Sequence, residues 1–102
     1  MPQKTPLANI LSSSGRIKIL TLLANVEQLH LSEIARRTDQ SHSSTVHHLH
    51  ELANASIVNE QDYGRVRLFK LNLTNPWVRS LRQLILQWDD QTAPSIQSQA
   101  QA

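Results

Sequence analysis

The feature that most constrains this 102-residue chain is a pair of short helical patterns, parted by a three-residue polar break and followed at once by a hairpin pattern. Residues Glu33–Thr38 read as a brief helix, with Ser32 as its N-cap, Glu33 set against the positive end of the helix dipole, and Ile34 and Ala35 as its apolar side. Asp39-Gln40-Ser41 interrupts that pattern, and Ser41 is a second N-cap. The helix after it carries Val46, Leu49, Leu52 and Ala53, spaced to form one buried stripe. Ile57-Val58 and Val66–Leu71 then read as extended segments. Gln61-Asp62-Tyr63-Gly64-Arg65 lies between them, and Gly64, the only glycine in the second half of the chain, marks an exposed turn.

Two short helices at a tight turn, followed by a two-stranded ribbon, are the parts of a winged helix-turn-helix. The expected fold is therefore mainly α with a small β-hairpin wing (α+β). Upstream, Leu7, Ile10 and Leu11 suggest a short helix at about 6–12. Ile17, Leu20 and Leu23 extend a longer one, capped by Ser13 or Ser14 and ending near Asn25. Leu29-His30-Leu31 is long enough only for a short strand. Downstream, Asn75-Pro76 marks a boundary, because proline suits the first turn of a helix. In the helix that follows, Trp77, Leu81, Leu84 and Trp88 keep a 4-3-4 spacing, the seam of a coiled coil. Val78, Ile85 and Leu86 widen its apolar surface beyond the one face a small domain needs, and the surplus points to a partner. The expected organisation is a flexible N-terminus at 1–5, one domain at 6–89, and a disordered Gln/Ala/Ser-rich tail at 90–102.

Composition narrows the function. The chain has no cysteine, which removes disulfides and thiolate metal sites. No apolar stretch approaches the roughly 18 residues of a membrane span, and the first residues lack a signal-peptide core. A cytoplasmic, nucleoid-associated protein with no membrane partner is the expectation. The net charge is only +2, but residues 59–82 hold five cations against two acids. Four of the five histidines (His42, His47, His48, His50) crowd the presumed second helix of the motif. A focused positive region favours a polyanionic partner.

The physical logic then runs to duplex DNA. An α-helix fits the major groove, where base edges carry distinct donor and acceptor patterns, while flanking cations and amides meet phosphate. The presumed recognition helix, about 41–54, opens with Gln40, Ser41, His42, Ser43, Ser44, His47 and His48 as candidate DNA contacts. Short hydroxyls let the helix sit deep, and histidine gains charge near the anionic backbone. At the wing, about 59–70, Arg65 at the tip, with Tyr63 and Arg67 beside it, can reach phosphate or the minor groove. No catalytic triad order, phosphate loop, paired carboxylate motif or Gly-rich dinucleotide turn is present, so an enzyme is not expected.

Several segments together resemble the ArsR-like winged-helix regulators. Leu7-Ala8-Asn9-Ile10-Leu11-Ser12 and Arg16-Ile17-Lys18-Ile19-Leu20 are similar to the family's Leu-x-x-x-Leu-Ser and Arg-x-x-Ile-Leu opening. The run His48–Val58 resembles its His-Leu-x-x-Leu-x-x-Ala-Gly-Leu-Val, with Ser56 in place of the glycine and the frame around Thr45-Val46 shifted by one residue. Tyr63-Gly64-Arg65, Val66–Leu71 and Asn72 are similar to its wing. The likeness spans roughly Leu7 to Trp88. It implies a homodimeric, sequence-specific DNA-binding transcriptional regulator whose first and last helices form the dimer. Leu7, Ile10, Leu11, Trp77, Leu81, Leu84, Ile85 and Trp88 would then lie at that interface, Ser43, Ser44 and His47 would face the groove, and Arg65 would be the wing contact.

Metal sensing, common among such proteins, is not expected, and neither is any cofactor. Leu29-His30-Leu31-Ser32 stands where a cysteine-bearing site would be, and the terminal helix has no histidine. His47 and His50 share a face without a third ligand, which leaves no metal site. His30 reads as structural. Arg16 reads either as a phosphate contact or as an ion-pair partner, Arg36 and Arg37 as dipole-complementing cations of which one also faces DNA, and Arg79 and Arg82 as solvated. Two rival jobs fit the same fold: an architectural, sequence-indifferent DNA binder, or a winged-helix protein-interaction module.

Overall fold

Ser13 sets the start of the first long helix, because its extended backbone ends in a hydroxyl that accepts from the Arg16 N–H at 3.2 Å. From there α2 (Ser14–Asn25) buries Ile19, Leu20, Leu23 and Ala24. The short α1 (Leu7–Leu11) precedes it and sends Ile10 into the same core. The computed structural model describes residues 7–91. Of the segments expected to be flexible, 1–5 and residues 92–102 of the 90–102 tail lie outside the described residues.

The chain continues through β1 (Leu29–His30), α3 (Leu31–Arg37), α4 (His42–Asn54), β2 (Val58–Tyr63), β3 (Val66–Leu71) and α5 (Pro76–Gln91). The three strands form an antiparallel sheet in the order β1-β3-β2. Leu29 faces Phe69 and His30 faces Leu68, which stitches the start of α3 to the wing. In β2 only Val58 is buried, so the strand anchors at one end and projects outward for the rest of its length. The hairpin closes through Gly64 and Arg65 between the paired Tyr63 and Val66. Gly64 has φ of 67°, the first-position requirement of a two-residue type II′ turn.

Phe69, Ile19, Leu20, Ile34, Leu49, Leu52 and Val78 are the fully buried large side chains that bind α2–α5 and the sheet into one core. This is the winged helix-turn-helix that the sequence implies. Four details differ from the reading of the sequence. The first helix of the motif begins at Leu31 with His30 as its N-cap residue, not at Glu33 with Ser32 as its cap, because pairing of β1 with β3 carries Leu31 into the core as the first helical residue. On α4 the buried stripe is Thr45, Leu49 and Leu52, with Val46 only partly covered. Thr45 is admitted to the core because its hydroxyl donates to the Ser41 carbonyl at 2.8 Å. Ile10, read as an interface residue, belongs to the core of its own chain. Finally, α5 runs on to Gln91, two residues past the expected domain end.

Both helices of the motif end in the same way. The N–H groups of Asp39 and Gln40 bond to the carbonyls of Arg36 and Ala35, and those of Ser56 and Ile57 bond to Ala53 and Leu52. Each pair is a Schellman closure, with its first residue in the left-handed region at φ 56° (Asp39) and 63° (Ser56). Ser56 thus performs the role that glycine usually fills, at the cost of a strained Cβ.

Candidate nucleic-acid interface

Ser41 positions the presumed recognition helix by accepting from the Ser44 N–H at 3.1 Å. That bond commits its hydroxyl to capping. With Thr45, Leu49 and Leu52 turned inward, the outer face of the first turns presents His42, Ser43, Ser44 and His47, all exposed. Among the described residues, no other side chain holds His42 or His47 by a hydrogen bond.

The remaining predicted contacts on this element are engaged within the protein. Gln40 donates to the Thr38 hydroxyl at 2.9 Å and to the Gly15 carbonyl at 3.4 Å. His48 is half-buried and accepts at Nδ1 from Arg16 Nε at 3.2 Å. Burial first, then the charges of Arg16 and His47, hold its imidazole below the ordinary histidine pKa. A Cβ on Gly15 would collide with both the His48 ring and the Gln40 side chain, so glycine is what lets α2 approach the turn between α3 and α4. Of the two adjacent histidines, His47 is the one that looks outward.

The wing divides its cations. Arg67 donates from Nε to Glu60 at 2.8 Å and lies 5.7 Å from the centre of the Phe69 ring. The same contact holds the Glu60 carboxyl below its ordinary pKa and raises that of Arg67, while the hydrogen bond with Glu60 raises Asp62. Arg65, at the tip, is exposed and has no ion-pair partner among the described residues. Tyr63 is also exposed, its hydroxyl donating to Gln61 at 3.0 Å. A surface groove runs from the wing to the start of α4, lined by His30, Ser32, His42, Arg65 and Arg67. The sequence reading gave His30 a structural role and set Ser32 aside as a cap. Their place in the groove follows from the β1–β3 register, a pairing that no local pattern announces.

Arg36 and Arg37 both bond to Glu33, at 2.8 and 3.0 Å, and the Glu33 carboxyl is held at about 2, chiefly by Arg36 and then by Arg37. Away from the motif, Leu7, Leu11, Trp77, Leu84 and Trp88 are exposed apolar side chains, Trp77 at 80% and Trp88 at 65%. Leu81 and Ile85 are partly covered by the core. Among the described residues there is no group of three or more His, Cys, Asp or Glu side chains arranged to hold a metal ion, and no helix is long and apolar enough to cross a membrane.

Residues 13–60 match the model of the bacterial regulatory protein, arsR family. This segment, just under half of the chain, is similar to the ArsR-family helix-turn-helix. The matched segment runs from the Ser13 cap into the first strand of the wing, and likeness to solved structures covers 78–84% of the chain. HlyU from Vibrio cholerae superposes with a TM-score of 0.70 at 22% identity, covering 80% of this chain and 83% of that one. A homodimeric winged helix-turn-helix DNA-binding domain from Mycobacterium bovis gives 0.67 at 21% identity over 84% and 77%. The transcriptional repressor PagR of Bacillus anthracis gives 0.65 at 20% identity over 78% and 87%. No curated protein matches the sequence significantly. The matched model is that of a family of bacterial regulatory proteins, and the superposed structures share the winged helix-turn-helix fold.

Proposed function

We propose that this ArsR-type chain acts as a homodimer that reads specific duplex DNA and regulates transcription in the cytoplasm. The start of α4 enters the major groove, with His42, Ser43, Ser44 and His47 at base edges and phosphates. Arg65 reaches phosphate or the minor groove from the wing, with Tyr63 at its side. The observation that carries this reading is the division of α4: one face of Thr45, Leu49 and Leu52 is locked in the core, and the opposite face presents exposed short hydroxyls and imidazoles, held among the described residues only by a 3.4 Å contact between the Ser43 and Ser41 hydroxyls. Homodimerisation is supported by the bare apolar seam of Trp77, Leu84 and Trp88, together with Leu7 and Leu11. The Mycobacterium bovis domain of the same fold is itself homodimeric.

Selection of bound sequences from a random duplex library tests the reading. A regulator enriches a roughly palindromic site with half-site centres about one helical turn apart. Enrichment of nothing, despite binding, identifies an architectural protein, and absence of binding at low salt identifies a protein-interaction module. On the selected site, log affinity falls linearly with log salt, as counterion release requires. Arg65→Ala flattens that slope by about one unit, whereas an unchanged slope removes Arg65 from the interface.

A further inference from the structure

Arg16 holds three partners from three parts of the fold. Its backbone N–H closes the α2 cap on Ser13, its Nη1 donates to the Asn9 carbonyl of α1 at 3.2 Å, and its Nε donates to His48 Nδ1 of α4 at 3.2 Å. A guanidinium has only donors and stays charged, so the Arg16–His48 bond exists only while Nδ1 keeps its lone pair. We propose that Arg16 is a positioning residue which ties α4 to α1 through the unprotonated His48 ring, so that proton uptake by His48 releases the recognition helix and weakens sequence-specific DNA binding. The clause about DNA rests on the function proposed above.

The surroundings of His48 leave a proton without compensation. From α2 it faces Arg16 and the close-set Gly15. The α3–α4 turn contributes the uncharged amide of Gln40, and α4 itself contributes His47, whose ring centre lies 5.7 Å away. No carboxylate is among the groups acting on it. A protonated His48 therefore loses its acceptor, meets a fixed cation and sits half-buried. The sign follows from the depressed pKa: in the folded chain the contact outlasts the ordinary histidine value of about 6.5 and is lost only as pH falls through the lowered native value, while its contribution to stability is complete above 6.5 and fades between the two. The other histidines of α4, His42, His47 and His50, are exposed, so total affinity mixes their own contacts with the effect of His48. Sequence discrimination, rather than total affinity, is thus the quantity to read.

The test uses the full chain and its Arg16→Gln and His48→Gln variants, with thermal melts to confirm folding. Followed by NMR, the His48 ring of the wild type titrates below its ordinary value, and the amides of Asn9 and Ile10 move with it. In Arg16→Gln the ring midpoint rises and those amides no longer follow. Identical His48 midpoints in wild type and Arg16→Gln overturn the relay, whatever the protein does with DNA. The second arm compares a selected duplex with a scrambled one at fixed salt. As pH falls from 7.5 through the His48 midpoint read by NMR, the wild-type affinity ratio falls by about fivefold, the low end of coupling between two sites. His48→Gln stays flat, because its amide oxygen accepts from Arg16 without titrating, and Arg16→Gln discriminates poorly throughout. Parallel declines in wild type and His48→Gln overturn the clause about DNA. Absence of DNA binding at every pH overturns that clause and the functional reading together, while the ring titration judges the relay separately.

Discussion

The helices α4 and α5 bury their inner faces in the same core and differ in what they leave outside. On α4, Leu49 and Leu52 are sealed and the outer face is serine and histidine. On α5, Val78 is sealed, but the outer seam is Trp77, Leu84 and Trp88, with Leu81 at its edge. Water solvates the first surface at no great cost. The second exposes indole and isobutyl area worth roughly 25 cal/mol for every Å² removed from water. A polar outer face on a helix that begins beside a wing suits a hydrated polyanion. An apolar outer face on a terminal helix suits a second apolar surface, and a copy of itself supplies one with the matching 4-3-4 spacing.

The largest effect that separates the two helices is on association. Trp77→Ala combined with Trp88→Ala removes two exposed aromatic anchors from each protomer, four from the dimer, each worth about 1 kcal/mol at the interface, and so raises the dimer dissociation constant by about a thousandfold. Thermal stability of the separated chain changes little, because both rings are already in water there. Sedimentation equilibrium reads the first quantity and denaturant unfolding of the monomer the second. An unchanged association state would break the comparison, leaving the seam of α5 without its assigned use.

Next in size is the inner face of α4. Leu49→Ala empties a site that is 1% exposed and costs about 3 kcal/mol of folding stability, as large-to-small core changes do. Urea unfolding checks it. A loss below about 1 kcal/mol would mean that α4 is not seated as described, and its outward histidines would lose their fixed orientation.

How much of this was legible in the sequence depends on the range of the interaction. Ser13 and Ser41 announced their helices because an N-cap acts within three residues, and Gly64 announced its turn for the same reason. The order of helices and hairpin followed from those signals. What stayed hidden was set by partners far along the chain. Gln40 reaches Gly15 and His48 reaches Arg16, so two residues read as DNA contacts are occupied by α2. Arg67 is occupied by Glu60 across the hairpin, which leaves Arg65 as the unpaired wing arginine of the two. Thr45 took the core position expected of Val46 because a hydroxyl that bonds back to Ser41 costs little to bury. His30 reached the groove through a two-residue strand too short for any periodicity.

The smallest predicted effect sharpens the comparison at the far end of α4. Ser56 occupies the left-handed closing position at φ 63°, where a Cβ crowds the backbone and glycine has no such penalty. Its side chain has no hydrogen bond among the described residues, and its carbonyl, which accepts from Asn72 and Asn75, survives any substitution. Ser56→Gly therefore relieves strain in the folded chain while loosening the unfolded one, and the balance is a gain of about 0.5 kcal/mol. The midpoint of urea unfolding should rise at constant slope. Because the start of α4 lies three turns away and keeps its seat on Leu49 and Leu52, discrimination between selected and scrambled DNA should not change. A change in discrimination would mean that the two ends of α4 are coupled through its closing turn, and that the outer face of this helix is set by its exit as well as by its core.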